Sequence, residues 1–352
     1  MAGSDNPRPR YAGRLDIAHG AVDMSHGSGG RAMAQLIDEL FRAHLDNVLL
    51  AQGNDQALFT PPPGRLAIST DGHVISPLFF PGGDIGCLAV HGTINDVAMC
   101  GARPLYLAAG FILEEGLPLA DLARIVKSMA AACNAAGVPV VTGDTKVVER
   151  GHGDGCFITT TGVGVLADGI DIAGSNARPG DAILVSGHIG DHGVAIMSKR
   201  ENLGFETEIR SDTAALHDLV AAMLEAVPEI HCLRDPTRGG LANTLNELAQ
   251  QSQVGMQIRE PAIPVRPEVA AACELLGLDP LNVANEGKLI AICPAEHAER
   301  LLAAMRAHPK GEHAAIIGEV FEDAHHFVQM ETAFGGNRIV DWLAGEQLPR
   351  IC

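Results

Sequence analysis

Residues 107–146, LAAGFILEEGLPLADLARIVKSMAAACNAAGVPVVTGDTK, decide the fold class. The run at 107–113 is apolar and short enough for a strand. An alanine-rich stretch follows from Leu119 to Ala136, and alanine is the best helix former. Gly137 closes that helix in the position where glycine commonly ends one. Val138-Pro139-Val140-Val141 then reads as a short buried strand delivering Thr142-Gly143-Asp144-Thr145-Lys146 at its end. Strand, helix and strand in succession are the unit of an α/β protein.

The same alternation extends in both directions. Upstream, Leu66-Ala67-Ile68-Ser69-Thr70-Asp71 is a strand with a polar end, and a helix is expected from about Leu88 to Met99. Downstream, 157–165 alternates through threonines as a strand. Residues 168–180 change in composition and mark a domain boundary. Beyond them come a strand at 182–185, helices opening near Gly190 and spanning 213–226 and 241–250, and a strand at 289–292. A helix at 296–307 and strands near 314–320, 325–330 and 338–341 complete the pattern. The expected organisation is a flexible extension at 1–15, an N-terminal domain at 16–170, a C-terminal α/β domain at 171–340 and a mobile tail at 341–352.

The 352 residues suffice for two domains with substantial cores. A formal net charge of −18 argues against nonspecific nucleic-acid binding and adsorption to anionic lipid. No apolar run reaches the ~18 residues of a membrane span, and residues 1–10 lack the apolar core of a secretory signal. The eight cysteines form no CxxC pair, which points to reduced thiols and a cytoplasmic setting.

Gly27-Ser28-Gly29-Gly30 precedes a helical pattern, where backbone N–H groups can approach phosphate, although neither a Walker A loop nor a Rossmann fingerprint is present. Asp71, Asp96 and Asp144 are read at the ends or edges of elements. Converging carboxylates of this kind suit Mg²⁺, while single ones are as readily caps or turn residues. Asp235-Pro236-Thr237-Arg238-Gly239-Gly240 reads either as a phosphate neighbourhood with Arg238 as charge partner or as a tight turn. His91, His188 and His192 read as structural or solvent-facing. The sequence closes on Pro349-Arg350-Ile351-Cys352. A thiol there suits a carrier arm, and the nearby carboxylate favours thiol over thiolate.

Taken together, Ser25-His26-Gly27-Ser28-Gly29-Gly30, Phe80-Pro81-Gly82-Gly83-Asp84-Ile85-Gly86, Asn95-Asp96-Val97-Ala98, Thr142-Gly143-Asp144-Thr145-Lys146, Asp235-Pro236-Thr237-Arg238-Gly239-Gly240, Asn285-Glu286-Gly287-Lys288 and the closing Cys352 resemble the HypE family, the carbamoyl dehydratases of [NiFe]-hydrogenase maturation. The resemblance runs from about residue 16 onward, with Asp235-Pro236 where the family pattern has Asp-Ala. It implies a two-domain fold shared with aminoimidazole ribonucleotide synthetase, and a homodimer through the N-terminal sheet. The partners it implies are the carbamoyltransferase HypF and the HypC–HypD scaffold. ATP with Mg²⁺ would dehydrate a carboxamide on Cys352 sulfur to a thiocyanate, the source of the iron's cyanide ligand. Gly27, Ser28, Gly29, Gly30, Asp84, Asn95, Asp96, Thr142, Gly143, Asp144 and Arg238 would bind nucleotide. Asp71, Asp96 and Asp144 would hold metal, Lys146 would stabilise phosphoryl charge and Glu286 would act as base. The tail is expected outward without ATP and threaded inward with it. The alternative is a kinase-like relative acting on a free small molecule, as in selenophosphate synthetase or thiamine-phosphate kinase; no cysteine in the glycine-rich segment disfavours the former.

Overall fold

The computed structural model describes residues 11, 13–201, 209–343 and 350–352. Most of the expected extension at 1–15, and residues 344–349 of the expected tail at 341–352, lie outside the described residues.

The N-terminal half begins with α1 (Arg31–Leu36) and α2 (Arg42–Leu45), joined by one wider turn at Ile37–Phe41. Then follow β1 (Arg65–His73), the hairpin β2 (Phe79–Phe80) and β3 (Gly83–Asp84), α3 (Ile85–Ala98), β4 (Arg103–Glu114), α4 (Leu119–Ala136), β5 (Val140–Val148) and β6 (Cys156–Leu166). The sheet order is β1-β6-β4-β5, antiparallel except for the parallel β4–β5 pair. That parallel pair requires a crossover, and α4 supplies it. Gly137 ends α4 at φ 68°, the left-handed region open to glycine. Leu122, Ile125, Val126 and Met129 of α4 are fully buried, each contributing about 1.5–3 kcal/mol by leaving water.

The C-terminal half contains β7 (Asp181–Val185), α5 (Asp191–Arg200), α6 (His217–Ala226), β8 (Cys232–Arg234), α7 (Gly240–Ser252), β9 (Gly255–Arg259), α8 (Pro267–Leu276), β10 (Ile290–Pro294), α9 (Ala298–Ala307), β11 (Ala315–Phe321), β12 (Val328–Glu331) and β13 (Asn337–Ile339). Its sheet runs β13-β12-β9-β11-β7-β10-β8. Separate apolar clusters fill its two faces, one under α7 and the other under α6 and α9.

Two features of the first sheet position the site. Both β1 and β5 are edge strands. One sheet face is covered by α3 and α4, while the other leaves Leu66, Ile68 and Ile112 exposed at 58%, 75% and 42%. Alternation along a strand decides which residues meet which face.

Candidate functional site

The seam between the two halves is built on α3. Asp84 caps its first turn, accepting from Gly86 and Cys87 N–H at 2.8 and 3.2 Å. Near its end, Asn95 is 1% exposed and wholly engaged across the seam. Its amide donates to the carbonyls of Ala214 and Glu286, and its oxygen accepts from Leu216 N–H at 2.7 Å. Both residues were expected to bind nucleotide; in this chain their side chains form a helix cap and an interdomain clamp.

The carboxylates come from the inward face of β1. Odd-numbered residues of β1 face α3, so Ser69, Asp71 and His73 look inward. Ser69 Oγ donates to Asp96 Oδ2 at 2.9 Å. His73 is buried with Nε2 3.4 Å from Asp71 Oδ2, and neither ring nitrogen makes a hydrogen bond among the described residues. Burial pushes the His73 ring below its ordinary value against the pull of Asp71. Burial, with Asp71 adding to it, raises the Asp96 carboxyl.

From the other half come Asp235, Arg238 and Glu286. Burial, then the charge of Asp96, pushes Asp235 up to about 7. Glu286 is 4% exposed, with Oε1 unpartnered among the described residues. Its carboxyl is raised well above the usual range by burial and then by Asp235 and Asp212. Its backbone is fixed: Glu286 N–H donates to Asp212 Oδ1 at 3.0 Å, and Asp212 pairs with Lys288 at 3.1 Å. Gly287 is required here, since a Cβ would sit 1.8 Å from the Asp212 carbonyl oxygen.

Residues 350–352 enter this seam. Val74 N–H donates to Cys352 O at 3.0 Å and Ser76 N–H to Arg350 O at 3.2 Å, so the chain end extends the edge beyond β1. Ile351 is 2% exposed in the N-terminal core. The Cys352 thiol is pushed up by burial first and Glu286 second, while exposed Arg238 opposes. The thiol form is therefore favoured as expected, but burial outweighs charge as the cause.

The second group of expected residues lies elsewhere. Gly27 packs against Val147 so closely that a Cβ would lie 2.8 Å from its nitrogen. The run Gly27, Ser28, Gly29, Gly30 thus meets β5, beside a cavity of about 320 Å³ lined by Met33, Phe41, Thr142, Gly143 and Asp144. Thr142 donates to the Asp55 carbonyl. Residues 142–146 belong to the strand itself, not to a loop after it. Asp71 and Asp144 likewise sit within strands, and Asp96 within α3.

Asp144 lies apart from the other two expected metal ligands. It pairs with Lys146 on the open face of β5, both more than 60% exposed, and that pairing holds the Asp144 carboxyl below its ordinary value. Asp71 lies on the opposite edge and faces the other side. Three interstrand steps separate them, roughly 14 Å, so one ion cannot join Asp71, Asp96 and Asp144 of a single chain. Among the described residues no group of three His, Cys, Asp or Glu is arranged for a metal. Lys146 is removed from Cys352 and Glu286 for the same reason.

His73, Asp212 and Asp235 were not singled out from the sequence as site residues. Asp235 alone had a local signal, the turn-like Asp235-Pro236-Thr237-Arg238; the others are assembled by long-range pairing.

Comparison with known proteins agrees across the chain. The model of the AIR synthase related protein N-terminal domain matches residues 53–166, and that of the C-terminal domain matches 178–331. Carbamoyl dehydratase HypE of Azotobacter vinelandii is 75% identical over 339 residues, covering 96% of this chain and 99% of that protein. The crystal structure of hydrogenase maturation protein HypE in complex with ATP is 54% identical, with a TM-score of 0.90 over 94% of this chain and 99% of that one. A chain of the crystal structure of the HypE–HypF complex is 48% identical with a TM-score of 0.77, covering 88% and 99%.

Proposed function

This chain belongs to the HypE family of carbamoyl dehydratases, and from that membership we propose that it dehydrates a carboxamide carried on its own Cys352. The observation that carries the reading is the seating of that thiol beside Glu286, whose buried Oε1 has no hydrogen-bond partner among the described residues. HypF would load the carboxamide, as the HypE–HypF complex of a relative supports. The HypC–HypD scaffold would accept the cyanide. Free thiols throughout suit a cytoplasmic enzyme, and no described helix is long and apolar enough to cross a membrane.

The chemistry balances as two steps. The amide oxygen attacks the γ-phosphorus of ATP, releasing ADP, while the amide nitrogen gives up one proton. The C–O bond then breaks, phosphate leaves with the oxygen, and loss of the second N–H proton leaves S–C≡N. Phosphorylation is needed because oxide is a poor leaving group, and positioning supplies most of the catalysis. Glu286 takes protons from nitrogen. A carboxyl held so high is a strong base once ionised, and a cation drawn into the cluster brings it toward its working range. Arg238 offsets negative charge near the sulfur.

Lys146 and Asp144 reach this cluster only from a second chain. The exposed apolar face bearing Leu66, Ile68 and Ile112 supports a homodimer through the N-terminal sheets. In that reading Lys146 of the partner subunit stabilises the transferring phosphoryl group. Mg²⁺, accompanying ATP, would be shared by Asp71 and Asp96 of one chain and Asp144 of the partner subunit. Gly27, Ser28, Gly29, Gly30, Thr142 and Gly143 belong to the nucleotide side of the site.

Incubation with HypF, carbamoyl phosphate and ATP tests the assignment. The peptide containing Cys352 should gain a carboxamide mass and then lose one water. Gain of that mass by the Cys352→Ala protein would reject Cys352 as the carrier.

A further inference from the structure

His192, on α5 of the C-terminal half, is fully buried with both ring nitrogens engaged. Nε2 lies 2.8 Å from the Ile351 carbonyl oxygen, and Nδ1 lies 2.8 Å from Ser211 Oγ. A carbonyl only accepts, so Nε2 carries the proton and donates. Nδ1 of the neutral ring must then accept, so Ser211 Oγ–H donates to it. Ser211 Oγ in turn accepts from Thr213 N–H at 3.1 Å, and for the neutral ring that burial favours no other tautomer satisfies all three contacts.

Ser211 is tied on both sides. Its own N–H donates to the Pro81 carbonyl at 2.8 Å. The next residue, Asp212, is the acceptor that fixes Glu286 N–H and pairs with Lys288. An unbroken path therefore runs from the Ile351 carbonyl through His192 and Ser211 to the backbone of Glu286. Arg200, also on α5, donates to Arg350 O and Ser76 O at 2.8 and 2.7 Å, closing the other flank. Phe80 packs edge-on against the His192 ring at 5.7 Å, which holds the ring plane.

We propose that His192 is a positioning residue: it reads the seated Ile351 carbonyl and, through Ser211 and Asp212, sets Glu286 where the sulfur-borne group arrives. This rests on Cys352 being the carrier. When the tail leaves, His192 loses its acceptor and the Ser211–Asp212 segment loses its anchor. Seating of the substrate arm and placement of the base are thereby one event.

The test uses the full chain with ATP present and two readouts. The first is the alkylation rate of Cys352 by iodoacetamide, followed by peptide mass spectrometry, with Cys87 as internal control. His192→Leu should raise the Cys352 rate about tenfold, the scale of one lost hydrogen bond to a buried carbonyl, and leave Cys87 unchanged. His192→Gln, whose amide restores an Nε2 donor, should stay within about twofold of the parent. The second readout is dehydration of pre-loaded protein, where His192→Leu should lose kcat with an unchanged KM for ATP and His192→Gln should recover it. If His192→Leu does not fold, Ser211→Ala decides, with Cys352 alkylation raised about threefold. Unchanged alkylation in the folded variants overturns the proposal. So does a dehydration loss that His192→Gln fails to rescue. The alkylation arm involves no carbamoyl chemistry, so it fails or succeeds independently of the carrier assignment.

Discussion

Replacing Asp235 with asparagine should stabilise the protein, and more so at high pH. Asp235 stands against Asp96 and Asp71, and its carboxyl is pushed up to about 7 from an ordinary 3.8. A raised acid binds its proton more tightly folded than unfolded. Its contribution is fullest below the unfolded value, declines as pH rises toward 7 and is lost above it. Each unit is worth about 1.4 kcal/mol. Between pH 5 and pH 8 only the two units up to about 7 count, so the wild type loses about 3 kcal/mol from this group. Asparagine is near in shape and does not titrate. Urea unfolding of Asp235→Asn and wild type at pH 5 and pH 8 should therefore show the stabilisation growing by up to about 3 kcal/mol. An equal effect at both pH values would mean that Asp235 is not held in this charged cluster.

Glu286→Gln should cut dehydration by about 10²–10⁴-fold while leaving HypF-dependent loading of Cys352 intact, as mass spectrometry of the two stages will show. If the site is shared between chains, mixing Glu286→Gln with Lys146→Met protein should restore about a quarter of wild-type dehydration, because one dimer in two then holds one intact site; no recovery would place Lys146 outside the site. Asn95→Ala strips partners from two carbonyls and one N–H in the seam and should cost about 3 kcal/mol, read by urea unfolding.

The local pattern made much of the fold legible. The helix of α4, its glycine stop and the flanking strands lie in one stretch, and only a crossover joins parallel neighbours that way. The short strands β8 and β9 and helix α8 were not read: three to five residues carry little period, and α8 went unread although Pro267 opens it and Gly277 closes it. Glu286 was legible through the family resemblance, and burial raises its carboxyl. The metal trio is split within one chain for a geometric reason. Sequence places Asp71 and Asp144 at the ends of strands, but does not show that those strands occupy opposite edges with the two side chains on opposite faces. The capping role of Asp84 and the clamping role of Asn95 were not legible, because residue by residue such a side chain looks like a ligand. His192 was read as structural or solvent-facing, and it is buried; its contact with Ile351 spans 159 positions and has no local trace.

A single turnover with heavy oxygen in the carboxamide of Cys352 tests the central claim most directly. Phosphorylation of that oxygen predicts that the released inorganic phosphate carries the label, one atom per cyanide formed, with none in water. Label appearing in water, with unlabelled phosphate, would contradict it.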